Sequence, residues 1–414
     1  MKVLVVGSGS RESVIGWKLS QSPQVDKIYF APGNGGTKDI GENVNIDVTE
    51  IEKLKDFVKD NNIDLTVVGP EVPLVMGIVD EFEKDNLRIF GPNKKCSQLE
   101  GSKAFTKEFL VENNIPTAKY VRVNNAEDAM KNLEQFGYPV VLKADGLAAG
   151  KGVIIAQDFN EAKEAIDTIM VAKKFGQSGN EVVIEEFLEG IECSLLCFVD
   201  GNYIVPMESA KDYKAVYDGD KGPNTGGMGT FSPNELYDRE YKDMVEKEIL
   251  KPMAEGFEKS NLDYKGILFI GLMMTKSGAK VIEINVRFGD PETQVILTRL
   301  ESDLYEIMNS IIDGNLKDMD IKWKTESSVC VVLASGGYPN EYEKNKEIKI
   351  EENDLKIFHG GTKSTGDKIV TNGGRVLSLV TLGKNIEEAR NKVYDSISKV
   401  DFENMYYRKD IGKI

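Results

Sequence analysis

The chain of 414 residues carries a single histidine, His359. Imidazole-based triads need a histidine beside a nucleophile, and histidine-rich zinc sites need two or more. His359 lies in "FHGGTK", a setting that reads as structural. Chemistry therefore has to come from carboxylates, amides, lysines, arginines and backbone N–H groups, the set that phosphoryl transfer uses. The four cysteines, at 96, 193, 197 and 330, form neither a CxxC pair nor a zinc-type spacing. They read as reduced, mostly buried thiols and not as a disulfide framework. No long uncharged hydrophobic run is present, so no membrane segment is expected. The opening "MKVLVVGSGS" begins a strand with no basic leader segment, so a cytoplasmic location is expected. Basic residues are in deficit: 52 Lys and Arg against 68 Asp and Glu give a net charge of -16. That balance argues against nucleic acid as a partner, because a phosphate backbone needs a basic footprint. Low-complexity tracts and internal repeats are also missing.

What remains is a globular composition, 41% apolar and 29% charged, long enough for about two to four domains. Residues 1–100 alternate short β-branched runs ending in Gly or Pro ("KVLVVGSG", "KIYFAPGN", "LTVVGPE", "RIFGP") with helical segments from about Glu12 to Ser20 and near 50–60. This pattern predicts an open parallel α/β sheet, whose ligands lie beyond the carboxyl ends of the strands. A dinucleotide site is excluded twice: position 12 of the Gly7-Ser8-Gly9 run is Glu12 where Gly or Ala belongs, and the second strand ends in Phe30-Ala31 without a ribose-binding acid. The Gly-rich turn fits a phosphate nest or a merely tight turn equally well.

After Pro92 the spacing predicts helices from Ser102 to before Pro116 and from Asn124 to Phe136, then a strand in "YPVVLKADG". "GLAAGKGV", residues 146–153, is one residue short of a P-loop and has Gly152 in place of Ser or Thr. It predicts a glycine-rich hairpin carrying Lys151 that closes over phosphates as a lid. "EVVIEEFLEGIECS" fits an exposed acidic strand, or a strand end that offers backbone to a purine while Glu192 takes ribose hydroxyls. "KGPNTGGMG", residues 221–229, is a Gly-rich loop too polar for a core. A hairpin ending in "EINVRFGDPE" follows, and from about Val329 a last small α/β unit with a helix from Ile386 to Ile397.

The densest chemistry is "EINVRFGDPE". Alternation places Glu283, Asn285 and Arg287 on one face and Ile282, Ile284 and Val286 on the other. Such a run fits a half-buried strand with a polar side, or one presenting metal ligands to a phosphate. Glu283 and Asn285 are hard oxygen donors of the kind Mg²⁺ accepts, and Arg287 can lie across a transferring phosphoryl group.

Taken in order, Lys103, Lys143, the Gly-rich lid, "EEFL" with Glu192, and Glu283 with Asn285 resemble the series of the ATP-grasp superfamily. Within it, "GSGSRE", "APGN", "GPEVPL", "GPNTGGMG", "RFGDPETQ" and "YRKDIG" resemble the glycinamide ribonucleotide synthetase family over residues 1–412. The fold class expected is mixed α/β with an ATP-grasp architecture. Residues 1–100 form the N-terminal substrate domain, 101–325 the ATP-grasp domain with a lid at about 120–190, and 326–414 a C-terminal α/β domain.

The resemblance implies that ATP phosphorylates glycine and that 5-phosphoribosylamine attacks the glycyl phosphate, with Mg²⁺ or Mn²⁺ as the metal. It assigns ATP to Lys103, Lys143, Gly146, Gly150, Lys151, Gly152, Glu185, Glu186, Phe187, Leu188 and Glu192. On the substrate side it places Gly9, Arg11, Glu12, Asn34, Pro70 and Glu71 from the first domain. From the second it adds Asp212, Lys214, Gly226, Gly227, Met228, Arg287, Asp290, Pro291 and Glu292. Arg287, Lys214 and Lys151 are the catalytic set, and Glu283 and Asn285 the metal ligands. The partners implied are glycine, 5-phosphoribosylamine and ATP. The chain is expected to be a monomer that touches the phosphoribosylamine-producing enzyme transiently.

The chain departs from the family pattern at Ser10 and Ser13, where "GSGGREH" has Gly and His, and at Lys211, Tyr213 and Ala215, where "QDHKR" is usual. It also lacks the acid that many relatives carry near Phe269, so the sequence does not set the number of metals. Competing readings are another ATP-grasp carboxylate ligase or carboxylase, which would release ADP with a different substrate, and a nucleotide-binding regulator that binds ATP without turnover.

Overall fold

The computed structural model describes residues 1–148 and 152–413. The lid residues Gly150 and Lys151 lie outside that range. The first sheet runs in the order β3-β2-β1-β4-β5, from β1 (Lys2–Gly7), β2 (Lys27–Pro32), β3 (Glu42–Asn43), β4 (Leu65–Val68) and β5 (Ile89–Phe90), and every pairing in it is parallel. Val3 to Val6 and Leu65 to Val67 are fully buried, as a sheet covered on both faces requires. The order reverses between β1 and β4, so the loops after these strands, Gly7–Gly9 and Gly69–Glu71, open one crevice at their carboxyl ends.

Helix α1 (Ser10–Leu19) begins two residues earlier than its apolar pattern predicts, with Gly9 as its N-cap. The helix expected near 50–60 is Ile51–Asn61, closed by the left-handed Asn62. The next expected helix is Lys103–Glu112, where the Ser102 hydroxyl caps the Phe105 N–H at 3.1 Å. The one expected over Asn124–Phe136 is a helix at Ala126–Asn132 followed by a 3₁₀ turn, capped by Asn125.

The centre of the molecule is an antiparallel sheet of four strands: Tyr203–Pro206, Ile191–Asp200, Lys265–Thr275 and Gly278–Asn285. A second antiparallel sheet, in the order Tyr120–Val123, Val182–Glu186, Val140–Ala144, Val153–Ala156, packs on its own apolar cluster around Leu142, Ile166 and Ile184. By contrast, the main cores run across the chain: one joins Leu4 and Phe82 to Phe257 and Val281, another joins Val5 to Phe288, Leu297 and Val380.

The last sheet crosses the boundary expected at residue 325. Lys211–Asp212 pairs with Gly229–Ser232, which pairs onto Ser327–Ser335, which in turn pairs with Arg375–Gly383. The segment between 212 and 229 is therefore strung from the C-terminal sheet, although sequence order puts it with the central one. The stretch 221–229 is not all loop as expected, because Lys221–Asn224 pairs with Ala215–Tyr217 as a hairpin and only 225–228 of it stay irregular. Among the described residues no helix is long and apolar enough to cross a membrane.

Candidate active site

The strand Gly278–Asn285 does not alternate as its sequence suggests. Glu283 pairs with Gly271 but Val281 already pairs with Leu272, so Ile282 is a bulge residue. Val281, Ile284 and Val286 are buried while Ile282 is only half-buried, which corrects the apolar face expected from Ile282, Ile284 and Val286. Glu283 and Asn285 keep their shared face. The Ile282 carbonyl accepts the Lys143 ammonium at 2.8 Å, so the bulge turns a backbone acceptor toward the site.

Lys143 also pairs with Glu185 at 2.9 Å, and Glu185 holds Lys107 through its other oxygen at 2.9 Å. Burial first, partly offset by Glu185, lowers Lys107 to about 8. Lys103 donates to the Gly146 carbonyl at 2.8 Å, and burial together with Lys143 lowers its pKa. Glu186 accepts from the Lys119 N–H at 2.9 Å and from Lys280 at 3.3 Å. Phe187 is exposed and Leu188 buried. The end of the sheet that carries Glu185 and Glu186 thus gathers three lysine ammoniums, Lys107, Lys143 and Lys280, around two acids.

Glu283 faces three cations. Lys214 first, with Lys143 and Lys103, outweighs burial and holds its carboxyl at about 2. Lys214 lies 3.2 Å from Glu283 and 3.0 Å from Glu192. The Asn285 carboxamide oxygen accepts from Arg287 at 3.1 Å. Cross-strand from Glu283 and Asn285 stand Gly271 and Phe269, so the neighbouring strand adds no acid. Among the described residues no group of three His, Cys, Asp or Glu is placed to hold a metal. Two hard oxygens beside a cluster of lysines suit Mg²⁺, which keeps waters and substrate phosphates in its shell and does not need an all-protein cage. The residues present therefore fit a nucleotide-borne divalent ion.

Arg287 turns toward the first domain. It donates to Glu100 at 2.8 Å and to Glu71 at 3.3 Å, and Glu100 also accepts the Val286 N–H at 2.8 Å. Glu71 is substantially buried, yet Arg287 and Arg11 keep its carboxyl below the usual range. Pro70 is the N-cap of the short helix Glu71–Met76. Arg11 donates to the Phe288 carbonyl at 3.1 Å, which ties α1 to the turn after Arg287.

Glu12 and Asn34 are committed inside the protein. Glu12 accepts from the Gly9 N–H and the Arg11 Nε, each at 2.6 Å. A Cβ at Gly7 or Gly69 would approach Glu12 side-chain atoms within 2.5 or 2.0 Å, so the acid that broke the dinucleotide pattern is the filling of the crevice floor. The Asn34 amide donates to Ser8 O, Ser13 Oγ and His359 O at 2.9, 3.0 and 2.8 Å. Its oxygen accepts the Gly36 and Thr37 N–H groups at 2.9 and 3.1 Å. Both side chains shape the pocket wall, and neither has spare bonding capacity pointed at a ligand.

On the other wall Asp212 and Glu292 form an acidic pair. Burial, then mutual repulsion for Asp212, raises the pKa of each. Ser194 donates to Glu292 at 3.0 Å, whereas Asp212 Oδ1 has no hydrogen-bond partner. Gly227 has φ +115°, and a Cβ there would lie 2.4 Å from Pro291 and 2.7 Å from Asp212. Met228 is fully buried beneath.

Residues that local sequence did not single out complete the site. Arg375 donates to the carbonyls of Gly226 at 2.7 Å and Asp290 at 2.6 Å, and Tyr338 accepts the Gly226 N–H at 3.0 Å. Arg375 and Arg11 hold Asp290 ionised against its burial. Glu100 and Lys107 belong with them. All act across large sequence separations, so no local spacing reports them.

The departures from the family pattern at 211, 213 and 215 face away from this pocket, whereas Ser13 lies behind its wall, accepting from the Asn34 amide at 3.0 Å. Tyr213 is buried in the C-terminal core with its ring 6.2 Å from Phe231 and 4.8 Å from the Arg408 guanidinium. It points opposite to its neighbours Asp212 and Lys214, as strand-like alternation requires. Lys211 lies over the same ring at 5.3 Å, and the Ala215 carbonyl accepts from Arg408 at 3.0 Å. Ser13 donates to the His359 carbonyl at 2.7 Å and Ser10 to that of Phe358 at 3.4 Å, so both staple α1 to the C-terminal sheet.

Comparison with known proteins gives a consistent result. Family models described as phosphoribosylglycinamide synthetase match in three parts: the N domain at residues 1–100, the ATP-grasp (A) domain at 101–293 and the C domain at 328–414. The chain is 51% identical to phosphoribosylamine–glycine ligase of Caldanaerobacter subterraneus subsp. tengcongensis, covering 100% of this chain and 99% of that one. It is 48% identical to that of Clostridium acetobutylicum over the full length of both. The crystal structure of the Thermotoga maritima phosphoribosylamine–glycine ligase superposes with a TM-score of 0.87 at 35% identity, covering 99% and 100% of the two chains. A biotin carboxylase domain from Hydrogenobacter thermophilus, solved with MgADP, ADP and bicarbonate, shares the fold with a TM-score of 0.74 at 15% identity, covering 98% and 91%.

Proposed function

The chain belongs to the phosphoribosylglycinamide synthetase family, and on that premise we propose how its residues divide the work of the reaction. It is an ATP-grasp ligase that forms a C–N bond, joining glycine to 5-phosphoribosylamine to give glycinamide ribonucleotide, ADP and phosphate in purine biosynthesis. A carboxylate resists attack by an amine until one oxygen becomes a leaving group. In the first step a glycine carboxylate oxygen takes the γ-phosphoryl group of ATP and ADP departs. In the second the amine lone pair of phosphoribosylamine forms the C–N bond, the acyl C–O bond breaks, phosphate leaves and the nitrogen gives up a proton.

The nucleotide side is assigned to Lys103, Lys143, Gly146 and Gly152, with Gly150 and Lys151 of the lid on sequence grounds alone. Glu185, Glu186, Phe187 and Leu188 take the adenine and Glu192 the ribose. Support comes from the convergence of Lys103 on Gly146 and of Lys143 on Glu185 and Ile282. Glu283 and Asn285 would hold Mg²⁺ or Mn²⁺, which supplies charge neutralisation to the transferring phosphoryl group.

Asp212 and Glu292 are proposed to receive the glycine ammonium. Two buried carboxylates, each with its pKa raised by burial and Asp212 further by Glu292, gain most from a cation set between them, and the Asp212 oxygen without a partner is free to accept it. Gly226 to Met228 and the Asp290-Pro291 turn close over it, oriented by Arg375. Gly9, Arg11, Pro70 and Glu71 line the crevice for phosphoribosylamine, with Glu12 and Asn34 shaping its wall. Arg287 spans both halves, and its ion pairs with Glu71 and Glu100 place it between the ATP-grasp strand and the first domain. Water exclusion by the lid protects the acyl phosphate.

Residues 1–100, 101–325 and 326–414 are proposed as the substrate, ATP-grasp and C-terminal domains, with 211–232 contributed to the last sheet. The four buried free thiols suit a reducing compartment, in keeping with a proposed cytoplasmic monomer that takes phosphoribosylamine from a transient contact with the enzyme that makes it.

The observation that carries this assignment of roles is the face of Glu283 and Asn285, set between a lysine cluster on one side and the Asp212–Glu292 pair on the other. The test is ADP release with ATP and Mg²⁺ when glycine and freshly generated phosphoribosylamine are added singly and together. Release only with both, with a product of the mass of glycinamide ribonucleotide, is expected. ATP binding without release would favour a regulator that binds nucleotide without turnover.

A further inference from the structure

We propose that Lys214 is a built-in stand-in cation. In the ligand-free enzyme its ammonium occupies the two carboxylates that the nucleotide's ribose and metal later claim, and it has to leave Glu283 before a divalent ion can settle there. The proposal rests on the reading of Glu283 as a metal ligand and Glu192 as a ribose ligand.

Three features of the central sheet carry it. Ile191–Asp200 and Gly278–Asn285 flank the strand Lys265–Thr275, with Glu192 opposite Met273 and Glu283 opposite Gly271. Gly271 lets the Glu283 side chain lie across the middle strand on the Glu192 side, since a Cβ there would lie 2.7 Å from Glu283 Cγ. Lys214 comes from outside this sheet and bridges the two acids, 3.0 Å from Glu192 and 3.2 Å from Glu283. Among the described residues, no other cation is within ion-pair distance of either carboxylate.

Two neighbouring carboxylates repel each other unless a cation lies between them. A lysine performs this service reversibly, because its ammonium is a compact charge on a flexible stem. A divalent ion arriving with nucleotide brings twice the charge and makes the ammonium redundant at Glu283. Its destination is also present. Asp212 lies two residues earlier on the same side of the extended run, and its Oδ1 has no hydrogen-bond partner. The released ammonium would then move to the substrate wall only after the nucleotide side is loaded, so one side chain links the two halves of the site.

The direct test is Mn²⁺ binding followed by electron paramagnetic resonance, without nucleotide or turnover, on the full-length protein. Lys214→Met and Lys214→Gln should each bind Mn²⁺ about tenfold more tightly than wild type, because a competing cation is gone. Lys214→Arg, which keeps the charge, should stay near wild type. Glu283→Gln should abolish the site. Far-UV circular dichroism identifies any variant that fails to fold, and two neutral variants keep the test decisive. Equal or weaker Mn²⁺ binding by both neutral variants, with Glu283→Gln still defective, would overturn the stand-in role alone. Unchanged binding by Glu283→Gln would instead overturn the metal reading beneath it.

Discussion

Replacing Arg287 by Met removes a guanidinium that joins the strand of Glu283 and Asn285 to the first domain. Its side chain is 16% exposed, and its acidic partners Glu71 and Glu100 are 23% and 8% exposed. Breaking a buried pair from one side costs about 3–5 kcal/mol, because the remaining charge is left uncompensated. Glu100 carries most of that penalty. Burial already raises its pKa, and Arg287 is the largest opposing influence. In Arg287→Met the carboxyl would rise further, so the folded state binds more protons than the unfolded one above the ordinary carboxylate range. Stability is then lost as pH rises through the raised pKa and recovered as pH falls below it. The deficit should therefore shrink between about pH 8 and about pH 5, and the double variant Arg287→Met/Glu100→Gln should recover about half of it at the higher pH. Urea unfolding across that range is the assay, with ATP affinity measured by calorimetry in parallel. Nucleotide binding should be nearly unchanged, since Lys103, Lys143 and Glu186 stand on other elements, while turnover collapses. An unfolding free energy within about 0.5 kcal/mol of wild type would refute the argument, as would failure of Glu100→Gln to restore stability.

Gly227→Ala would drive a methyl group against Pro291 and Asp212 at a backbone φ of +115°. The strain of about 1–3 kcal/mol should appear as a raised KM for glycine with unchanged ATP affinity, and normal glycine kinetics would contradict the close approach. Glu185→Gln leaves Lys107 and Lys143 without their shared anion. Calorimetry should show ATP binding weakened by about tenfold, whereas an unchanged Kd would mean that Lys143 needs no anchor. His359 is lowered to about 4 by burial, so the unfolded chain takes up a proton first as pH falls. Its contribution to stability is lost from about pH 6.5 downward, reaching about 3 kcal/mol near pH 4, and His359→Asn should flatten that part of the wild-type stability profile.

The contrast between Glu283 and Arg375 shows what local sequence can report. Glu283 and Asn285 were legible because alternation along an extended run is a property of the backbone itself, and it needs no knowledge of what packs opposite. The same rule misplaced Ile282, because a bulge depends on the register against Lys265–Thr275, which lies on the other strand. The parallel sheet of residues 1–100 was legible for a related reason: apolar runs closed by Gly or Pro declare strands buried on both faces. Helix ends were legible where a capping side chain marked them, as at Ser102 and Asn125, and were not at α1, where Gly9 supplies no side-chain signal. Arg375, Tyr338, Glu100 and Lys107 sit in unremarkable stretches and acquire meaning only when the sheet assembles. Arg375 reaches Gly226 because 229–232 pairs with 327–335, which pairs with 375–383. A contact made through two successive strand pairings leaves no periodicity in the chain. The substitutions at Ser13 and Tyr213 belong to the same class. They stand beside ligand motifs in sequence, yet the Ser13 hydroxyl donates to the His359 carbonyl and the Tyr213 ring packs near Phe231, so each satisfies neighbours across an interface between elements. The departures at 211, 213 and 215 thus share the reverse face of the run whose other face carries Asp212 and Lys214 toward Glu292 and Glu283.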